Sequence, residues 1–271
     1  MLLAACSGPV RPLGPTPATA PVAAPTLPPV PPGAMPADVP DTGWVSVAQG
    51  VERRRMLVTP PHAPDRLAPI HIARFDPAHT AFQVGYAPAD PHLLSEWCNT
   101  GNPLAVINGG FFDEGYRSTA LVIQDGVPSG SSYEGQGGMF AIDVAGVLSL
   151  RHLADQPYRP DEPLLEALQG WPMLVKPGSV LAYINPADSE RARRSVIALD
   201  QAGRVLLIIA PTSDFTLQGL AQWLLMSDLA ISSALNLDGG SSSGFCLNTP
   251  AYRERIDAFV PLPLVLLVVP R

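Results

Sequence analysis

Alternation of apolar and polar residues dominates the chain, and strand signals outnumber helix signals. Runs 69–75 and 80–86, rich in Ile, Phe and Val, flank Asp76-Pro77-Ala78-His79 and predict a hairpin. Segment 138–153 predicts a second hairpin around Ala145-Gly146, and 195–210 a third that turns at 200–203. Leu264 to Val269 is uninterruptedly apolar, the composition of a central strand buried on both faces. Three helices are predicted. The first has Asp90 as N-cap, Pro91 at the first helical position, apolar Leu93, Leu94 and Trp97, and Gly101 past its end. The second covers 163–169, capped by Asp161 and closed by Gly170. The third, Thr216 to about Ser227, aligns Leu217, Leu220, Leu224 and Leu225 on one face. The expected class is α+β: strand-rich mixed sheets with about three helices in a single compact domain.

Composition narrows the function. The 271 residues carry 17 Lys+Arg and 24 Asp+Glu, a net charge of −7, so the electrostatic footprint of a nucleic-acid binder is missing. No apolar run reaches the ~20 residues of a membrane-spanning helix. The 32 prolines concentrate in 7–40, where a chain poor in donors and large side chains favours extended, unpacked conformations. Residues 1–43 therefore read as a lipoprotein-type signal remnant and a Pro/Ala-rich disordered tether, and 44–271 as the folded domain. Leu3-Ala4-Ala5-Cys6 has the form of a lipobox, with Cys6 as the residue to be lipidated. Only Met1 to Ala5 precede it, so the leader reads as truncated. The expectation is an exported protein, lipid-anchored to the membrane of the cell envelope. Cys98 and Cys246 either pair in that compartment or stay separate buried thiols.

Two segments break the rule that apolar strands end in ordinary turns. In the first, Leu104 to Ile107 runs into Asn108-Gly109-Gly110-Phe111-Phe112-Asp113. In the second, Ala234-Leu235 runs into Asn236-Leu237-Asp238-Gly239-Gly240-Ser241-Ser242-Ser243-Gly244. Paired glycines after a strand let a ligand lie against main-chain N–H groups, and a carboxylate at the strand tip is well held. Other motifs fall away. Gly240-Ser241-Ser242-Ser243-Gly244 fits G-x-S-x-G formally, but no helix follows and the last histidine is His152. The five histidines are scattered singly, against the spacing of a zinc site, and no P-loop occurs. The Gly- and Ser-rich stretch 126–138 reads as a flexible loop over the site.

Both segments, with Leu121-Val122-Ile123-Gln124-Asp125-Gly126, Trp171-Pro172-Met173-Leu174-Val175 and 191–198, stand in an order that resembles the phosphodiester glycosidase family over roughly 70–269. The resemblance implies a hydrolase that cleaves a sugar from a sugar-1-phosphodiester, with a phosphoglycan or glycolipid as substrate. Phosphate leaves readily, so such a site mainly binds the anion and stabilises an oxocarbenium-like transition state. On that reading Arg194 grips phosphate, whereas its neighbour Arg193 faces the opposite way and only one of the two points inward. Asp238 is the first candidate for the catalytic carboxylate and Asp113 the second, each with the alternative of capping its own glycine turn. Gly109, Gly110, Gly239, Gly240, Ser241 and Ser242 bind substrate, and Asn108 orients a sugar hydroxyl or holds Asp238. Glu114 points to solvent. Phe111, Phe112 and Phe245 serve as sugar platform or core. No cofactor is required, although a divalent cation between Asp113 and Asp238 suits the oxygen ligands. The rival functions are a non-catalytic glycan- or phosphate-binding lipoprotein and a phosphodiesterase that breaks P–O.

Overall fold

The computed structural model describes residues 40–271; Cys6 and nearly all of the expected tether lie outside the described residues. In chain order the strands are β1 (Val45–Ala48), β2 (Val51–Val58), β3 (Ala68–Phe75), β4 (Thr80–Tyr86), β5 (Ala105–Asn108), β6 (Val122–Gln124), β7 (Val127–Ser129), β8 (Gly138–Asp143) and β9 (Leu148–His152). They continue as β10 (Leu164–Gly170), β11 (Met173–Lys176), β12 (Val180–Leu181), β13 (Ala192–Asp200), β14 (Val205–Phe215), β15 (Ile231–Asn236), β16 (Phe245–Asn248), β17 (Arg253–Ile256) and β18 (Leu264–Pro270). Two α-helices, α1 (Leu94–Asn99) and α2 (Leu217–Met226), and a 3₁₀ turn at Gly240–Ser242 complete the described residues.

These strands form three sheets. The largest has the order β1-β2-β3-β14-β13-β15-β11-β12; the others are β7-β6-β10-β8-β9 and β17-β16-β5-β18-β4. One core is shared by all three, through Phe75, Ile197 and Leu235 of the first, Phe140 and Leu168 of the second, and Phe82, Ile107, Phe245 and Leu266 of the third. Each sheet also carries a smaller apolar cluster apart from that core. On the large sheet α2 supplies Leu217, Leu220, Trp223 and Leu224 to this cluster. Thr216 caps α2 by accepting from Gly219 N–H at 3.0 Å. Leu225, expected in the buried stripe, is 38% exposed, and Trp223 packs instead. On the third sheet α1 packs over Val106 and Val265, where Cys98 and Cys246 form a disulfide.

The hairpins at 138–153 and 195–210 form as β8/β9 and β13/β14. Leu264 to Val269 is an inner strand, paired with β5 and β4. Three expectations are corrected. The turn after Asp76 forms, but β3 pairs with β2 and β14 while β4 pairs with β18, so the flanking strands enter different sheets. The first helix starts at Leu94, because His92 exchanges backbone hydrogen bonds with Leu262 and is lost to the helix. The second is no helix at all: Leu164-Leu165-Glu166-Ala167-Leu168-Gln169 is β10, the middle strand of its sheet. Its helix formers are overridden by partners on both sides, as propensity commonly is.

Glu166 of β10 is 3% exposed and accepts Val84 N–H of β4 at 2.9 Å, a bond from the second sheet to the third. Burial pushes its carboxyl up to about 7, and Asp125 adds to the rise. The folded protein therefore holds a proton there that the unfolded chain releases near its ordinary 4.5. Stability from this group is full below that value and declines as pH rises towards 7. Glu166→Gln is expected to remove the decline and to gain about 1–3 kcal/mol at pH 8, read from urea unfolding at several pH values. The disulfide closes a sequence separation of 148 residues. A Cys98→Ala, Cys246→Ala double variant should lose roughly 2–5 kcal/mol in the same assay.

Candidate active site

β5 ends at Asn108 and β15 at Asn236, and the chain beyond these tips is joined by main-chain and side-chain bonds. Asn108 Nδ2 donates to the Asp238 carbonyl at 2.7 Å, and Asp238 N–H donates to the Gly109 carbonyl at 3.0 Å. Asn108 Oδ1 accepts Gly244 N–H at 3.1 Å, so one side chain, 1% exposed, holds both ends of the second loop. The end of β10 joins them. Asn236 N–H donates to Pro172 O at 3.1 Å and Asn236 Nδ2 to Trp171 O at 2.8 Å, across the cis Trp171-Pro172 bond.

Glycine is what allows this convergence. A Cβ at Gly110 would collide with the Gln169 carbonyl oxygen, and one at Gly170 with the Asn236 carbonyl oxygen. One at Gly239 would lie 3.0 Å from Arg193 O. Backbone thus packs on backbone where three sheets meet.

Around this junction stand three ionisable groups. Asp238 is half-buried; its Oδ1 accepts Gly239 N–H at 2.9 Å, and the Ser242 hydroxyl also bonds its carboxylate. Desolvation raises its pKa above the ordinary carboxylate value, and those two donors only partly offset the rise. Arg194 is 6% exposed and held by carbonyls rather than by a carboxylate, Nε on Phe215 O at 3.2 Å and Nη2 on Glu190 O at 2.8 Å. Its Nη1 faces the 239 position, 3.7 Å from where a Cβ would stand on Gly239. Burial presses its pKa down, against the pull of Glu190 and Asp188, but a guanidinium stays charged. Arg193 is equally buried, so the expectation that only one of the pair turns inward is wrong: the β13/β14 register is irregular between Ala192 and Arg194, which interrupts the alternation of faces.

The structure brings Asn108, Gly109, Asp238, Gly239, Ser242 and Arg194 together, and Asn108 takes the Asp238-holding role. Gly109 N–H is spent on Leu264 O at 2.8 Å, so that glycine supplies clearance and no donor. Gly240 has φ +59°, the left-handed turn that lets the loop reverse, and Ser241 is exposed beside it. Asp113 goes elsewhere. It is exposed, and its Oδ1 accepts Gly115 N–H and Arg117 N–H at 2.9 Å each, the turn-capping alternative. No hydrogen bond or ion pair among the described residues joins it to Asp238, and no group of three or more His, Cys, Asp or Glu converges among them. Phe245 is core at 1% exposure, Phe112 stacks on Tyr116 with centroids 5.8 Å apart, and Glu114 is exposed as expected.

Stretch 126–138 is partly strand β7, and beyond it Tyr133 N–H donates to Gln169 Oε1 at 2.9 Å while Gln169 Nε2 donates to Ser132 Oγ at 2.8 Å. It is pinned beside the Gly110 tip instead of hanging free. Sequence reasoning missed Gln169, hidden in the misread helix, and the edge-on pair Trp171–Tyr183, centroids 6.0 Å apart with Trp171 38% exposed. The Trp171-Pro172 dipeptide was the available signal.

A desolvated carboxylate beside a glycine-serine loop and buried guanidinium groups defines a site for an anionic ligand with acid–base capacity. The family description that matches this chain, over residues 101–269, is phosphodiester glycosidase, and the chain belongs to that family. It is 25% identical over 240 residues to the bovine N-acetylglucosamine-1-phosphodiester alpha-N-acetylglucosaminidase, covering 76% of this chain and 44% of that protein. Its fold is similar to the zebrafish N-acetylglucosamine-1-phosphodiester alpha-N-acetylglucosaminidase catalytic domain, solved auto-inhibited by its pro-peptide. That likeness has a TM-score of 0.66 and 20% identity, over 86% of this chain and 89% of that one. A hypothetical protein from Synechocystis is similar at TM-score 0.62 and 14% identity, over 87% and 65%. At these identities the two structures speak to the fold alone.

If Cβ-free packing holds the junction, Gly170→Ala should lose about 1–3 kcal/mol by urea midpoint, as overpacked cores do. Gly115→Ala, in an exposed turn, should stay within ~0.5 kcal/mol.

Proposed function

We propose that the protein is a hydrolase that releases a sugar from a sugar-1-phosphodiester, acting on a phosphoglycan or glycolipid in a bacterial cell envelope. One observation carries this reading: Asp238, clamped through Asn108 and Gly109, lies in the same short loop that Arg194 Nη1 flanks. In the proposed reaction Arg194, the Ser241 hydroxyl and the amides of Gly240 and Ser241 bind the phosphate. The bond between anomeric carbon and phosphate oxygen breaks, and its electron pair leaves with the phosphate. Water adds to the anomeric carbon and gives its proton to the Asp238 carboxylate. Poor solvation suits Asp238 to that task, because a carboxylate with raised pKa is a stronger base. Nothing in these steps calls for a redox or group-carrying cofactor. The disulfide supports an oxidising compartment, and Cys6 in its lipobox-like setting, outside the described residues, supports a lipid anchor.

A chromogenic sugar-1-phosphodiester tests the reading. Wild type is expected to release sugar, and Asp238→Asn to lose about 10²–10⁴ in kcat, the usual contribution of a general base. Its acid limb in kcat/KM should lie above the ordinary Asp range near ~4 and vanish in the variant. The variant should unfold at equal or higher urea at pH 7, because the raised pKa makes the ionised form a liability in the fold. Label from heavy-oxygen water is expected in the sugar; label in the phosphate means P–O cleavage and refutes the mechanism.

A further inference from the structure

Arg193 takes no part in the chemistry proposed above, yet it is built as a ligand-binding group. Its Nη2 donates to Asp257 O at 2.8 Å, while Nε and Nη1 are enclosed without a hydrogen-bond partner. The Phe259 ring lies over the guanidinium with its centroid 4.1 Å from Cζ, and that ring is 75% exposed. Asp257, the carboxylate that acts on Arg193, has its Oδ1 on Arg255 Nε at 2.9 Å. A charge this deep with two idle donors is strongly unfavourable unless an anion completes it.

Three contacts place Arg193 at the Asp238 loop. Gly239 packs on its carbonyl oxygen, and Arg194 Nη1 faces the same glycine. Phe259, the residue covering it, donates its N–H to Ser241 O at 2.7 Å. Ser195, two positions along β13, and Ser243 in the loop also bury hydroxyls without partners. These unpartnered atoms lie on β13 and in the loop that packs against it.

We propose that Arg193 is the second arm of the anion receptor and sets its preference for a phosphodiester. Phe259 swings off the guanidinium as ligand enters, Arg193 Nη1 takes one non-bridging oxygen, and Arg194 Nη1 takes the other. An uncharged glycoside would leave both guanidinium groups unmatched, and it is discriminated against for that reason. The assignment rests on the proposed function for its substrate but can be read without turnover.

Calorimetric titration with inorganic phosphate is the test, on wild type, Arg193→Gln, Arg193→Lys and Arg194→Gln. Arg193→Gln is expected to weaken phosphate about tenfold or more, with Arg193→Lys in between, since it keeps charge but loses the anchoring bond to Asp257 O that aims Nη1. On the sugar phosphodiester, Arg193→Gln should raise KM more than it lowers kcat. Phosphate affinity in Arg193→Gln within about twofold of wild type, or no binding to wild type at ~10 mM, overturns the assignment. Should Arg193→Gln not fold, Phe259→Trp takes its place: phosphate is expected to shift the added indole emission, and an unchanged spectrum overturns the assignment. Loss of phosphate binding without any sugar release by wild type keeps the receptor and refutes the hydrolase; the reverse result refutes Arg193 alone.

Discussion

Strand ends from three sheets meet at one place because no Cβ stands between them. Gly110 rests on the Gln169 carbonyl, Gly170 on that of Asn236 and Gly239 on that of Arg193, so the packing is backbone on backbone. Such contacts cannot relax by a rotamer change, which fixes the Asp238 loop more firmly than side-chain packing would. Asn108 completes the lock. Its amide donates to the carbonyl of Asp238 and accepts from Gly244, in a setting too dry for water to replace either bond.

Desolvation then does opposite things to the two signs of charge at this junction. It raises the Asp238 carboxyl, making the ionised form reactive, and it presses on both arginines, leaving Arg193 short of partners. A chain of net charge −7 nonetheless buries two guanidinium groups beside one glycine-serine loop. The same physics at Glu166 has no catalytic meaning: there a buried acid ties two sheets through Val84. Burial alone is a poor guide to function. What distinguishes Asp238 is the company of unpartnered donors and a glycine loop open to solvent at Ser241.

Much of this was legible in the letters, for definite reasons. Two strand-Asn-Gly-Gly units announce close backbone approach, because only glycine tolerates it, and the strand signals at β8, β9, β13, β14 and β18 rest on local alternation and turn residues. The family resemblance was carried by the same units and is matched by the phosphodiester glycosidase family over 101–269. Asp113 shows the limit: it follows its glycines much as Asp238 precedes its own, yet its carboxylate is consumed by Gly115 and Arg117.

The chain order of residues therefore established which turns, tips and candidate charges exist, since those depend on neighbours a few positions away. Tertiary structure decided what lies across space. It made 164–170 a strand despite helix-forming residues, because β6 and β8 offered ladders on both sides. It sent β3 and β4 to separate sheets, joined Cys98 to Cys246, and turned both arginines inward. Those outcomes are set by partners distant in sequence, and desolvation, which tunes Asp238, exists only once they have packed.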